Sequence, residues 1–159
     1  MAEMLLKVGD KAPDFKGVEQ NGNTIALKDF KGKKLVLYFY PKDNTPGCTA
    51  EACNLRDNYS LLIKKGFQVV GISADSVKSH KNFEEKFSLP FPLIADEDKK
   101  ILNKYGVWQQ KKFMGRSFLG IVRTTFLIDE KGVIRCIIDK PNTKSHAEQV
   151  LEAWEAIGK

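Results

Sequence analysis

Residues 34–40, KLVLYFY, and 67–73, FQVVGIS, are short, near-continuous apolar runs. Runs of this length without alternation belong to strands buried on both faces, which occur where helices cover a parallel sheet. The residues between them fit a crossover helix over 45–65, with Pro46 at its start and Gly66 at its stop. DSVKSHKNFEEKF, 75–87, predicts a second helix, closed off by Pro90 and Pro92. A short strand, PLIA, and a short helix over 99–105 follow, and 106–120 carries glycine and little regular pattern. RTTFLID and VIRCIID flank Glu130-Lys131-Gly132 as strand, turn and strand. The last helix opens on a capping box, Ser145 and Glu148, and lines Ala147, Val150, Leu151, Trp154 and Ile157 along one face. Near the start, Asn21-Gly22 marks a hairpin. The expectation is one α/β domain over 1–159, a mixed central sheet flanked by helices with an N-terminal β-hairpin extension.

Sheets of this kind gather function at the carboxyl ends of strands, where the next helix begins. YPKDNTPGCTAEACNLRD, 40–57, stands at such a place and holds Cys48 and Cys53. With Thr45 as the cap and Pro46 in the first helical position, Cys48 falls in the first turn. There, unpaired N–H groups and the helix dipole favour thiolate over thiol. Cys48, Ala52, Leu55, Tyr59 and Leu62 follow one apolar face. Cys53 is rotated about 140° from Cys48, and the two Cα atoms are about 8.7 Å apart on a regular helix. A disulfide tolerates roughly 7 Å, so a bond between them requires the helix to unwind locally. A cycle follows: Cys48 reacts in the folded form, the helix opens, and Cys53 captures the oxidised sulfur. Taken alone, C-x4-C favours two small buried, inert residues. The cap, the Pro-Gly turn and the strand-end location favour the reactive thiol.

No apolar run approaches the roughly 18 residues of a bilayer span. MAEMLLKVGDKAPDF lacks the basic segment and long apolar stretch of a secretory signal. The expectation is a cytoplasmic protein with no membrane attachment. Thiols there are normally kept reduced, and three cysteines are too few for a disulfide scaffold, so a close pair points to redox chemistry or metal. Two distant histidines with C-x4-C make a poor zinc set. The net charge of +6 comes from lysines scattered in ones and twos, the pattern of a solvated surface rather than of a nucleic-acid patch. Attraction of an acidic protein partner also fits.

Pro41-x-x-x-Thr45-x-x-Cys48 resembles the active-site motif of the peroxiredoxins. TPGCTAEAC is similar to their Q type, the bacterioferritin comigratory proteins. GDKAPDF before it and GIVRTTFLID after it resemble the same family in the same order, so the likeness spans nearly the whole chain. The resemblance implies a thioredoxin-like fold and thiol-dependent reduction of hydrogen peroxide and organic hydroperoxides. It implies Cys48 as peroxidatic cysteine and Cys53 as resolving cysteine. Thr45 and Pro46, with Pro41 and Gly47, would form the pocket, and Arg123 would complete it. It further implies a thioredoxin-type dithiol reductant, a monomer, and no metal, haem or flavin cofactor. Read without the resemblance, Arg123 simply opens a buried strand, and no spacing joins it to Cys48.

Cys136 alternates with Ile134 and Ile138 and is expected as a core thiol on their strand face. His80 shares a helix face with Phe83 and Phe87, so packing is its expected role. His146, one residue past the Ser145 cap, is expected exposed. Tyr40 and Trp108 fit core or pocket wall, and Lys42, Lys111, Lys112 and Arg116 a solvated basic face. Two other functions fit parts of the chain. A thiol–disulfide oxidoreductase on the same fold wants C-x-x-C and a proline opening the late strand, where Arg123-Thr124-Thr125 stands. A basic nucleic-acid-binding module, or a holdase, leaves the Thr45–Cys48 arrangement unused.

Overall fold

The structure, a computed structural model, describes residues 6–157. β1 (Lys16–Glu19) and β2 (Thr24–Ala26) form the hairpin expected at Asn21-Gly22, with Gly22 at φ +85°. β3 (Lys34–Phe39) leads through a loop into α1 (Pro46–Asp57) and α2 (Tyr59–Lys64). β4 (Phe67–Ser73), α3 (Val77–Phe87), β5 (Leu93–Ala95) and α4 (Lys100–Lys104) follow. β6 (Trp108–Phe113), β7 (Arg116–Ile121), β8 (Thr124–Ile128), β9 (Ile134–Ile138) and α5 (His146–Ile157) complete the chain.

The strand order is β2-β1-β5-β4-β3-β8-β9. β3, β4 and β5 run parallel, and β8 pairs antiparallel with β3, which makes the sheet mixed as expected. Alternation along β3 divides the core. Leu35, Leu37 and Phe39 pack with Phe126, Leu102 and Tyr105 on one face. Val36, Tyr38 and Tyr40 pack on the other with Cys48, Ala52, Leu55 and Leu62 of the helical layer and Val150 of α5. Leu35 to Phe39 are all fully buried, which is why both faces of that run had to be apolar.

Four local expectations need correction. The helix over 45–65 breaks at Asn58, whose backbone sits at φ −109°, ψ 11°. Its side-chain amide donates to the Asn54 carbonyl at 2.9 Å, a local bond that competes with continuing the helix. The stretch 106–120 is largely a hairpin, β6–β7, turning on Met114 and Gly115 at φ +53° and +79°. Positive φ at both central residues is the tight-hairpin signature, hidden here by polar residues in the strands. Phe113, Met114, Phe118 and Leu119 lie exposed on it. A bulge between Leu127 and Ile128 shifts the β8–β9 register, so Ile134 joins the Phe126 face while Cys136 and Ile138 join the other. Cys136 is half-buried rather than fully buried. Finally, the Ala147 N–H at the start of α5 donates not to Ser145 but to Asn54 Oδ1 of α1 at 2.7 Å.

Asn54 also donates to the Lys144 carbonyl at 3.0 Å, so one side chain clamps α1 to the beginning of α5. Asn54→Ala leaves a buried N–H unpaired. It is expected to lower stability by about 1–3 kcal/mol, read as a lower urea midpoint at unchanged slope.

Candidate active site

The antiparallel pairing of β3 with β8 solves a problem that the sequence leaves open. Phe39 lies opposite Thr124, so the residue before Thr124 stands beside the exit of β3, where the loop to α1 begins. That residue is Arg123, and it meets Cys48 across 75 residues of chain: Nη2 donates to Sγ at 3.2 Å. Nη1 donates to Glu51 Oε1 at 2.7 Å. Gly47 eases the approach, since a Cβ there would lie 3.2 Å from Arg123 Nη2 and the guanidinium would have to give way by a few tenths of an ångström. Cys48 is buried, while the Arg123 side chain keeps 21% of its surface exposed.

Thr45 occupies the cap position in extended conformation, and its carbonyl accepts from Thr49 N–H at 2.8 Å. Its hydroxyl, expected to cap the helix, instead donates back to the Lys42 carbonyl at 2.8 Å. Pro46 takes the first helical position, exposed, and Pro41 is half-buried at the start of the loop. Cys53 lies half-buried on the same continuous helix as Cys48, and both are free thiols. Lys111 comes near enough to Arg123 that burial, and then this like charge, push its pKa down.

The loop is anchored by a buried polar cluster that pattern reading missed. Asp43 accepts from Tyr40 at 2.6 Å and Ser79 at 2.7 Å and lies 2.7 Å from His80 Nδ1. Its N–H donates to Asp75 at 2.8 Å, and His80 Nε2 lies 3.0 Å from the Ile94 carbonyl. Asp43, Asp75 and His80 lie within metal-ligand reach of one another, but both His80 nitrogens face protein oxygens. The cluster therefore acts as a brace for the segment that delivers Cys48.

Two further residues complete the surroundings. Glu51, on the buried side of α1, is fully enclosed. His146, expected exposed, is fully buried, because α5 docks its first turn on α1 and β8. His146 Nε2 lies 2.8 Å from the Thr125 hydroxyl and 3.5 Å from Glu51 Oε2, and Nδ1 lies 2.9 Å from Gln149 Oε1. A carboxylate three residues beyond Cys48 on a helix face otherwise apolar was a usable signal for Glu51. Nothing local marked His146. Burial pushes Glu51 up to about 7, with Arg123 pulling the other way, and pushes His146 down to about 4. Burial opposes the charge of Arg123, but Cys48 and Glu51 beside it outweigh that and raise its pKa. A cavity of about 220 Å³ near Lys31, Leu35 and Ile128 lies at the opposite end of β3, so hollowness alone does not find this site.

The fold and this arrangement define a thioredoxin-like thiol enzyme, and comparison with known proteins narrows the class. The AhpC/TSA family pattern matches residues 8–137. Peroxiredoxin Bcp of Bacillus subtilis is 42% identical over 149 residues, 94% of this chain and 95% of that one. Peroxiredoxin Bcp of Escherichia coli is 46% identical over 146 residues, 92% of this chain and 94% of that one. Among solved structures, Xanthomonas campestris peroxiredoxin Q superposes with TM-score 0.86 at 36% identity, over 98% and 99% of the two chains. A second structure, of the bacterioferritin comigratory protein of that organism, trapped as an intermediate/ligand complex for its alkyl peroxide reduction activity, gives 0.86 at 35% identity, over 99% and 100%. The chain belongs to the AhpC/TSA family as a peroxiredoxin of the Bcp, or Q, type, a class of thiol-dependent peroxidases. Among the described residues, no helix is long and apolar enough to cross a membrane.

The two buried titrating groups give stability opposite pH dependences. His146 falls from 6.5 to about 4 on folding, so its contribution is full above pH 6.5 and lost as pH drops through about 4. Glu51 rises from 4.5 to about 7, so its contribution is full below 4.5 and lost as pH climbs through about 7. Urea titrations across pH are expected to lose the acid-side decline in His146→Asn, a change on the order of 3 kcal/mol. Glu51→Gln is expected to lose the alkaline-side decline.

Proposed function

We propose that the chain, acting as a monomer and as one domain over 1–159, reduces hydrogen peroxide and organic hydroperoxides through Cys48. The observation that carries this reading is Arg123 Nη2 at 3.2 Å from Cys48 Sγ in the first turn of a helix. The alkyl peroxide reduction named for the Xanthomonas campestris relative supports it. Cys48 attacks one peroxide oxygen as thiolate. The O–O bond breaks, water or an alcohol leaves, and the sulfur becomes a sulfenic acid. A guanidinium aimed at the sulfur is also placed for charge building on the departing oxygen, and the Thr45 hydroxyl flanks the same mouth. Pro41, Pro46 and Gly47 shape that mouth. No step in this scheme calls on a metal, haem or flavin.

Cys53 then condenses with the sulfenic acid, water leaves, and a disulfide forms once the turn between them unwinds. A thioredoxin-type dithiol returns both sulfurs to thiols by exchange, as the reduced cytoplasm provides. One equivalent of peroxide is expected to give a Cys48–Cys53 disulfide with Cys136 left free, read by intact mass and thiol counting. In stopped-flow mixing, Cys48→Ser is expected to consume peroxide only at the uncatalysed rate. Arg123→Ala is expected to react about 10²–10³-fold more slowly, the usual cost of one lost transition-state donor. Undiminished turnover in Cys48→Ser would refute the assignment.

A further inference from the structure

We propose that the hollow at the far end of β3 from Cys48 is a second binding site, which takes a small free carboxylate anion carrying a single ring or a short chain as its apolar body. The hollow measures about 220 Å³. An apolar cavity of about 150 Å³ already holds benzene, whereas drug-sized ligands need roughly 300 Å³ or more. The volume therefore limits the occupant to a small molecule. Leu35 and Ile128, both buried, and Leu27 and Phe30, both half-buried, give the hollow an apolar floor.

Backbone bonds hold the space open. A 3-10 turn (Leu27–Phe30) forms one wall, the segment around Ala12 a second, and the turn between β8 and β9 a third. Ala12 N–H donates to the Gly132 carbonyl and Gly32 N–H to the Glu130 carbonyl, each at 2.9 Å. Leu27 N–H donates to the Phe15 carbonyl at 3.1 Å. The three walls are thus tied to one another or to the strands behind them.

The rim is cationic. Lys11, Lys28, Lys31, Lys33 and Lys131, all exposed, line it from the three walls. Read along the chain these lysines look scattered, and the fold gathers them. Among the described residues none of the five makes an ion pair. Of the two carboxylates in the lining, Asp129 is committed elsewhere. Its Oδ1 accepts from the Lys131 and Val133 N–H groups at 2.9 and 3.0 Å, and its Oδ2 faces Arg135 at 3.6 Å. That leaves Asp14 against five ammonium groups, and the low-dielectric floor focuses their positive potential. An anion relieves it, and an apolar body covers the floor.

The donors present decide the head group. The N–H groups of Ala12, Gly32, Lys131 and Gly132 are already bonded within the protein, so no backbone nest remains for a phosphate. Ammonium groups on flexible stems act as point charges and ask only for an anion. A carboxylate on an apolar body meets both demands. The site shares no residue with the surroundings of Cys48, so it stands or falls apart from the peroxidase reading.

Proton–nitrogen correlation NMR on the labelled protein tests this, with sodium octanoate as the probe. The expected result is saturable binding of one octanoate per chain, with shifts confined to 11–12, 27–35 and 128–132 and affinity falling as salt is raised. Octanol, which lacks the charge, and acetate, which lacks the body, should each bind about tenfold or more weakly than octanoate. The triple variant Lys28→Gln, Lys31→Gln, Lys33→Gln should bind octanoate about tenfold more weakly, with peroxide consumption by Cys48 unchanged. Octanol or acetate binding as well as octanoate, or parental affinity in the triple variant, overturns the site. Shifts centred on residues 113–119 would put the probe on the exposed apolar hairpin and overturn it as well. Shifts of the cavity residues on dilution of the protein alone would make the occupant a second copy of the chain, which also overturns it.

Discussion

Arg123 carries one positive charge and a rigid fork of N–H donors, and the two prongs reach different partners. One meets the sulfur of Cys48, the other the carboxyl of Glu51. Both partners lie on the first turns of α1, so the guanidinium orients the helix as much as it serves the thiol. Its own position is a product of sheet topology. β8 must pair antiparallel with β3, and must do so in the register that sets Thr124 against Phe39. A slip of one residue would turn Thr125 and Phe126 to opposite faces and carry Arg123 away from the mouth of the site. The buried alternation along β3 and β8 guards against that slip.

The large elements were legible because hydrophobic burial writes them directly into the sequence. Val36, Leu37 and Val69 announce doubly buried strands, and Ser76 caps α3 through Ser79 N–H as its residue type predicts. Elements set by one side-chain bond were not legible. The break at Asn58 and the α1–α5 clamp at Asn54 depend on where an amide happens to reach. The β6–β7 hairpin escaped because Gln110, Lys111 and Lys112 interrupt its alternation. At the site, Cys48, Cys53, Thr45 and Pro46 stood out by helix-start chemistry. The link to Arg123 came only from family likeness, since pairing between β3 and β8 is a long-range event. His146 looked like a surface residue because the cap that precedes it says nothing about what docks on it.

Two buried polar groups of opposite character flank the cysteine. On one side Asp43, His80, Ser79 and Tyr40 satisfy one another and hold the loop that enters α1. On the other side Glu51 Oε2 has no hydrogen-bond partner among the described residues, while His146 is bonded to both Thr125 and Gln149. Fully satisfied buried networks of the first kind stiffen a structure, whereas an unpaired buried polar atom is costly. The cysteine thus has a braced approach and a floor that holds an unpaired carboxyl oxygen.

The two thiols of α1 bracket four residues in the chain, Glu51 among them. In the proposed cycle, joining positions 48 and 53 would enclose the acid in a ring that cannot stay helical and would draw Glu51 from its place beside Arg123. Arg123 would then lose its second anchor together with its first. A chain crosslinked in that way would be disarmed as well as unwound: a second oxidant would meet no cradle until reduction rewound the segment. On that scheme, two sulfurs spaced around one carboxyl would make an interlock, in which closing the bond removes the means of attacking again.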